Sequence, residues 1–319
     1  MKSILFATTF FMAAVSVMQA FKVPQIHDPP GSIPAMQTFE IPHPYIPPGL
    51  TDLRSPCPAI NVLANHGYLP RNGSQWKAVD VIPALVDVYN IEPSLSSMLA
   101  WGAVYLVGNP LTRTFSLGDF SGWEEIVQGV GLSRHNRIEH DASLTRLDKY
   151  FGDNQKFNPE LYQHLKDIAE KLNGGDFNTE VMSVHRYNRY QDSKANNPSF
   201  TFGAPQQLFA YAEAAIALLG LGGQNGTAAA VTLDSFFIHE RIPDNYIKNP
   251  IPITGTTVMT ISQEIFNKNP VPVEGIDFEK VQDFECHFIK IVRTLLPDIA
   301  PSLIDFIAKN TGISLSTNC

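Results

Sequence analysis

Arg54-Ser55-Pro56-Cys57-Pro58-Ala59-Ile60-Asn61, followed at once by Val62-Leu63-Ala64-Asn65-His66-Gly67-Tyr68, is the stretch around which this chain is organised. Two prolines fence a cysteine. Pro58 suits the first position of a helix, where its fixed φ fits and its missing N–H is not needed. Gly67 suits the left-handed residue that stops one. The pattern predicts a short helix with Cys57 at its N-cap. The free amides of Ala59 and Ile60 then point back at the sulfur, and the positive end of the helix dipole favours a thiolate. A thiolate held in this way serves as a metal ligand or a nucleophile rather than as packing.

Upstream, residues 21–56 are proline-rich and without period, an extended arm leading into the Cys57 loop. Downstream the signals are helical. Trp76, Val79, Ile82, Val86 and Tyr89 recur at spacings of three and four, with Pro83 as a bend. Pro93 to Val107 reads as a second apolar helix. Asn158-Pro159 is an N-cap followed by a proline at the first position, and the stripe Leu161, Leu165, Ile168, Leu172 stops at Gly174-Gly175. Residues 205–219, 227–239, 278–295 and 301–309 also read as helices, and Ile251 to Ile261 as a hairpin. With no internal repeat and few strand signals, the expectation is one mainly α-helical domain.

The 319 residues are 44% apolar and 17% charged, enough for a sizeable core. A net charge of −8 without basic runs argues against a nucleic-acid partner, and nothing points to a membrane surface. Residues 1–20 match a secretory signal, with Lys2 as the charged start, Ile4 to Val17 as the apolar run and Gln19-Ala20 as the cleavage end. Residues 21–319 are then the mature domain. Asn72-Gly73-Ser74 and Asn225-Gly226-Thr227 are glycosylation sequons and agree with secretion. The chain has three cysteines, an odd count for a secreted protein. If Cys57 binds metal, Cys286 and Cys319 remain as a pair. They would bridge within the chain, bridge two chains through Cys319, or stay free.

Two further places carry chemistry. Arg137-Ile138-Glu139-His140-Asp141-Ala142-Ser143 packs ionisable groups into consecutive positions, and on a helix Glu139 and Ser143 share a face. Such oxygens suit a hard cation. Glu213 is the only charge in Leu208–Leu219, where an unpaired carboxylate either faces solvent or has chemical work. Glu240 and Arg241, in Phe236–Pro243, read as an ion pair, and His66 and His185 as structural histidines.

Residues 47–61 and 64–71, with Glu-His-Asp-Ala-Ser at 139–143 and Phe236–Pro243, resemble the haem-thiolate peroxidases, the chloroperoxidase and unspecific-peroxygenase family. The resemblance runs from Pro44 to Tyr246. It implies a helical domain enclosing haem b, with Cys57 as iron ligand, the Ala59 and Ile60 amides at the sulfur, and Ile138 and Phe209 lining the pocket. A thiolate ligand pushes electron density toward O–O cleavage. The resemblance further implies Glu213 as the peroxide acid–base group, and His140, oriented by Asp141, beside it. It also implies Mg²⁺ or Mn²⁺ near a haem propionate, held by Glu139, the His140 carbonyl and Ser143. His140 stands where the long peroxygenases carry Gly, and Gln206 where they carry Arg seven residues before the Glu; this places the chain in the His-bearing branch. The expected partners are hydrogen peroxide and small organic substrates, with halide as a further one. The expected state is a monomer, or a dimer if Cys319 bridges chains. The rival readings are a non-catalytic secreted haem binder and a cysteine hydrolase using Cys57, His140 and Asp141. Adjacent His and Asp rarely give the orienting bond a triad needs.

Overall fold

The computed structural model describes residues 43–121, 135–224 and 226–272. Among these the chain forms eight α-helices and two two-stranded antiparallel ladders. The expected mainly helical, single-domain fold with little β is what forms. The signal segment, the Asn225 sequon position, Cys286, Cys319 and the helices expected at 278–295 and 301–309 lie outside the described residues. No helix among the described residues is long and apolar enough to cross a membrane.

Helix α1 (Pro58–Asn65) starts and stops where its sequence says: Pro58 sits in the first turn, Cys57 is the N-cap with φ −86° and ψ 112°, and Gly67 follows at φ +70°. Gly67 N–H donates to the Ala64 carbonyl. The positive φ favours glycine there, and a side chain would also have to displace the Arg71 guanidinium, which it would meet at 2.7 Å. Helices α2 (Ala78–Tyr89) and α3 (Pro93–Leu106) pack on each other. Trp76 is not part of α2. It pairs with Phe115 in the short ladder Trp76–Lys77 with Thr114–Phe115, which ties the start of α2 to the chain leaving α3. The inner stripe of α2 is Ala78, Val81, Leu85 and Val88, whereas Val79 of the expected stripe faces solvent.

Helix α4 (Pro159–Asn173) has the expected cap: the Asn158 side chain accepts from the amides of Glu160 and Leu161, and Gly174 closes it in the left-handed region. Helix α5 (Thr179–Asn196) has no counterpart in the sequence reading. Its inner face carries Ser183, His185, Arg186, Arg189 and Ser193, so the buried side is not apolar and the helical period is hidden. Helix α6 (Ala204–Gly220) crosses α5 and carries Glu213, and the Gly223–Gln224 with Thr227–Ala228 ladder turns the chain into α7 (Ala230–Ile238).

The expected hairpin over Ile251–Ile261 is a helix instead, α8 (Gly255–Lys268), packed on α5 and α6. The Thr254 hydroxyl accepts from the Thr257 amide, and this cap outweighs the strand preference of Thr256, Thr257 and Val258. Ile253, just before it, forms a bridge to Ile91.

His66 and His185 are structural, as expected. His66 Nδ1 donates to the His43 carbonyl and Nε2 accepts from the Ile242 amide. His185 Nε2 donates to the Leu144 carbonyl at 2.9 Å. Burial pushes the His185 pKa down to about 3, against the pull of that carbonyl. Its folded pKa thus lies below the unfolded value of about 6.5. Its contribution to stability is whole above about pH 6.5 and is lost as pH falls toward 3, because only the unfolded chain takes up the proton there. A His185→Gln variant should therefore lose less melting temperature than the parent across that window. Equal losses in a pH series of thermal melts would show that His185 does not carry this dependence.

Candidate active site

Cys57 sits in a rigid cradle. Its amide donates to Ser55 Oγ at 3.0 Å, and the Ser55 amide donates to Asn61 Oδ1 at 2.8 Å. Asn61 Nδ2 donates back to the Ser55 carbonyl and across to Glu240 Oε1 at 2.7 Å. Asn65 Nδ2 donates to the Glu240 carbonyl, and Arg54 Nε donates to Asn65 Oδ1. Tyr89 holds the first turn of α1 from behind through the Ala59 carbonyl at 2.7 Å. Glu240 is thus part of the cysteine loop. Its cation is Arg146, with Nη2 3.9 Å from Oε1, and the expected Glu240–Arg241 pair does not form because Arg241 turns to Asp244.

The Ile60 and Ala59 amides lie toward the Cys57 sulfur and favour its thiolate without forming a cap bond to it. Their pull is nevertheless outweighed: burial pushes the thiol above its ordinary value, and the facing charge of Glu213 adds to this. The helix terminus alone does not ionise Cys57. A metal cation does, since a coordinating thiol is deprotonated outright.

The second group of charged residues lies on the turn 135–143. It is not helical: the chain reverses at Asn136 and Ala142, both with positive φ. Glu139 and Ser143 therefore do not share a helical face. The turn is held from beneath by Asp148, which is fully buried and accepts from the Ala142 amide at 2.9 Å, Ser193 Oγ at 3.0 Å and Asn197 Nδ2 at 3.0 Å. Arg189 adds a contact to Asp148 and donates Nε to the Ser143 carbonyl. Asp148 and Arg146 escape the sequence reading, since nothing near them in the chain marks them as central. Truncating Asp148 to Ala leaves several buried donors and Arg189 without their acceptor, which should cost about 3–5 kcal/mol. Denaturant unfolding of Asp148→Ala measures this, and a loss under about 1 kcal/mol, the scale of an exposed pair, would remove Asp148 as the anchor.

His140 is buried at the tip of the turn. Its Nδ1 lies 2.7 Å from the Asp141 carbonyl, an atom that only accepts, so Nδ1 carries a proton. Its Nε2 lies 3.3 Å from Glu213 Oε2. One shared proton satisfies this contact, on the imidazole or on the carboxyl. Burial opposes charging of His140, but the Glu213 carboxylate overcomes it, so the histidine pKa rises above its usual value. Asp141 meets His140 through its backbone carbonyl and not through its carboxylate. Its carboxylate instead accepts from the Thr201 amide and lies 3.3 Å from His135 Nε2.

His135 also bonds Glu139 Oε2 through Nδ1 at 2.9 Å. Burial works against its charge, but two carboxylates lift its pKa to about 9, making it an imidazolium at neutral pH. The other Glu139 oxygen, Oε1, is buried and without a partner among the described residues.

Glu213 keeps 42% of its side chain exposed, while Ala210, Ala214 and Ala217 around it on α6 are buried. Its carboxylate therefore looks out of an apolar wall and can be reached. Ile138 and Phe209, the expected lining, are partly buried. Gln206 donates to the Asn136 carbonyl and helps hold the turn.

The donor set fits a haem. Cys57, the one cysteine among the described residues, is only partly shielded and makes no cap bond, and the reachable Glu213 carboxylate on apolar α6 lies within electrostatic reach of its sulfur. Both groups act electrostatically on Arg146, so thiol, carboxylate and guanidinium border one region.

A family model described as "Peroxidase, family 2" matches residues 43–251. The chain is 36% identical over 220 residues to an aromatic peroxygenase of Cyclocybe aegerita, covering 66% of this chain and 59% of that one. It is 33% identical over 225 residues to an aromatic peroxygenase of Coprinellus radians, covering 64% of this chain and 83% of that one. To a chloroperoxidase of Leptoxyphium fumago it is 32% identical over 127 residues, 37% of this chain and 32% of that one. The chain thus spans about three fifths of the first of these relatives.

Proposed function

Because this chain belongs to peroxidase family 2, the haem-thiolate peroxidases, we propose that it is a haem-thiolate peroxygenase that uses hydrogen peroxide to oxygenate small organic substrates. Hydroxylation and epoxidation are its main reactions, with one-electron and halide oxidation beside them. The observation that carries the reading is the 3.3 Å contact of His140 Nε2 with Glu213 Oε2, a carboxylate within electrostatic reach of the N-cap cysteine.

Haem b, when bound, supplies the cleavage of the peroxide O–O bond and the transfer of one oxygen to the substrate. Cys57 would hold the iron, with the Ile60 and Ala59 amides stabilising the charge on its sulfur. Glu213 accepts a proton from hydrogen peroxide and returns it to the oxygen that departs as water. His140 keeps the shared proton at Nε2, so that Glu213 meets peroxide as a carboxylate. The Asp141 carbonyl fixes the His140 tautomer and ring. Ile138 and Phe209 give the substrate an apolar wall.

A divalent cation, Mg²⁺ or Mn²⁺, would bind at Glu139, the His140 carbonyl and Ser143. The partnerless Glu139 Oε1 supports this, and metal analysis of the purified protein decides it. The chain is also proposed to be secreted, in keeping with its leader pattern and the exposed Asn72 of the first sequon.

The test uses ¹⁸O-labelled hydrogen peroxide with an aromatic substrate. The label should appear in the product. Unlabelled product would show that the inserted oxygen does not come from peroxide and would sink the peroxygenase reading, and no product from a haem-loaded protein would make it a non-catalytic haem binder.

A further inference from the structure

We propose that Glu240 and Arg146 are positioning residues for the iron ligand: a carboxylate and a buried guanidinium, bonded into the Cys57 loop through Asn61, whose charges set how strongly Cys57 donates to iron and so the reduction potential of that iron. This rests on the reading of Cys57 as the iron ligand.

The contacts form an unbroken path. Glu240 Oε1 accepts from Asn61 Nδ2 at 2.7 Å. Asn61 then meets the cysteine from two sides. Its backbone amide donates to the Cys57 carbonyl at 3.3 Å. Its Oδ1 accepts from the Ser55 amide at 2.8 Å, and Ser55 Oγ accepts from the Cys57 amide at 3.0 Å. The Glu240 backbone is held as well. Its φ is +45°, in the left-handed region that residues with a side chain rarely adopt, and Asn65 Nδ2 donates to its carbonyl at 3.0 Å. A strained backbone persists only where its surroundings over-determine it, and such places cluster at functional sites.

Stability does not account for the charges. Arg146 keeps 2% of its side chain exposed and Glu240 21%, yet Arg146 Nη2 stands 3.9 Å from Glu240 Oε1, beyond a hydrogen bond. Arg146 takes its bonds elsewhere: Nη1 donates to Thr145 Oγ1 at 2.6 Å, Nε donates to the Gln155 carbonyl at 3.3 Å, and the guanidinium lies 5.8 Å from the centre of the Phe157 ring. The cost of desolvating two charges exceeds what so long a contact supplies, and an apolar pair would serve the fold as well. A neutral oxygen would also meet Asn61. What the charges add is a field at the loop. Glu240 and Cys57 both act on Arg146, and Arg146 and Arg54 both act on Glu240.

The two charges have opposite effects. The carboxylate adds negative charge beside the thiolate and favours ferric iron, and the guanidinium favours ferrous iron. Neither bonds Cys57. Each acts through Asn61 or through its field, as groups outside the ligand shell do in tuning a metal.

Spectroelectrochemistry of the haem-loaded protein tests this by its ferric–ferrous midpoint potential. Glu240→Gln keeps an acceptor for Asn61 and removes the charge. It should raise the midpoint by roughly a tenfold change in the ferrous-to-ferric ratio, about 59 mV for a one-electron couple. Adding Arg146→Met to Glu240→Gln removes the surplus cation and should bring the midpoint back to that of the parent. Arg146→Lys alone keeps the charge and should stay at the parent midpoint. Arg146→Gln takes the place of the methionine if that form does not fold. A purely structural role predicts no such reversal, since a second lost contact loosens the loop further. The inference is overturned if Glu240→Gln leaves the midpoint unchanged or lowers it, or if the second substitution drives it further up. A shift in Arg146→Lys as large as that in Glu240→Gln overturns it equally. So does low melting of both double variants as haem-free chains, because the pair would then serve stability. A parent without the red-shifted Soret band of the ferrous–CO complex overturns the reading of Cys57 itself, and this inference with it.

Discussion

Cys57→Ala should abolish the red-shifted Soret band of the ferrous–CO complex and all peroxide-driven turnover. No other cysteine lies among the described residues, and the sulfur makes no hydrogen bond that caps α1. The loop is held by Ser55, Asn61, Asn65 and Glu240 instead, so the alanine variant should fold and melt like the parent haem-free chain. Loss of the band in a folded protein then isolates ligation from stability. Burial pushes the free thiol up, so an iron cation is needed to hold it as a thiolate. A neutral histidine or water in its place would not give the thiolate signature. Retention of the red-shifted band in Cys57→Ala would sink the assignment of the iron ligand.

Glu213→Gln should leave haem binding, the ferric spectrum and the CO complex as they are, and slow the reaction with hydrogen peroxide by about 10²–10⁴-fold. Glutamine keeps the size of the side chain and still meets His140 Nε2, but cannot take a proton. The carboxylate is reachable, with 42% of its side chain exposed, so the loss is chemical rather than a change of access. His140→Ala should cost less, because His140 acts on Glu213 and not on peroxide. If Glu213→Gln reacts as fast as the parent in stopped flow, the base is another group, with His140 first in line.

Some of this site is legible from the chain alone because its cause is local. Pro58 and Gly67 bound α1 by their own φ angles, and Cys57 becomes the N-cap by position. Asn158 caps α4 by bonds to amides two and three residues away. Such features need no other part of the molecule. Glu213 stood out for a related reason, as the single charge in an apolar helix, and the structure brings it to His140 at 3.3 Å.

Other elements depend on partners that the chain brings together from afar. Helix α5 was invisible because its buried face is polar. Its His185, Arg189 and Ser193 are satisfied by Leu144, Ser143 and Asp148, more than 40 residues earlier. Asn61 and Glu240 meet across 179 residues, so a Glu-Arg neighbour pair looked more natural than the bond that forms. Asp141 acts on His140 through its carbonyl because the backbone reverses at Ala142 instead of continuing as a helix.

The sequence by itself therefore determined the helical class and the place of Cys57 at the N-cap of α1. These follow from backbone sterics, capping and hydrophobic pattern within a turn or two. Only the tertiary structure decided which groups share protons and which charges are balanced. It alone raises the Cys57 thiol and bonds His135 to two carboxylates. Desolvation and long-range pairing have no local signature, since both are set by what the rest of the chain packs around a residue.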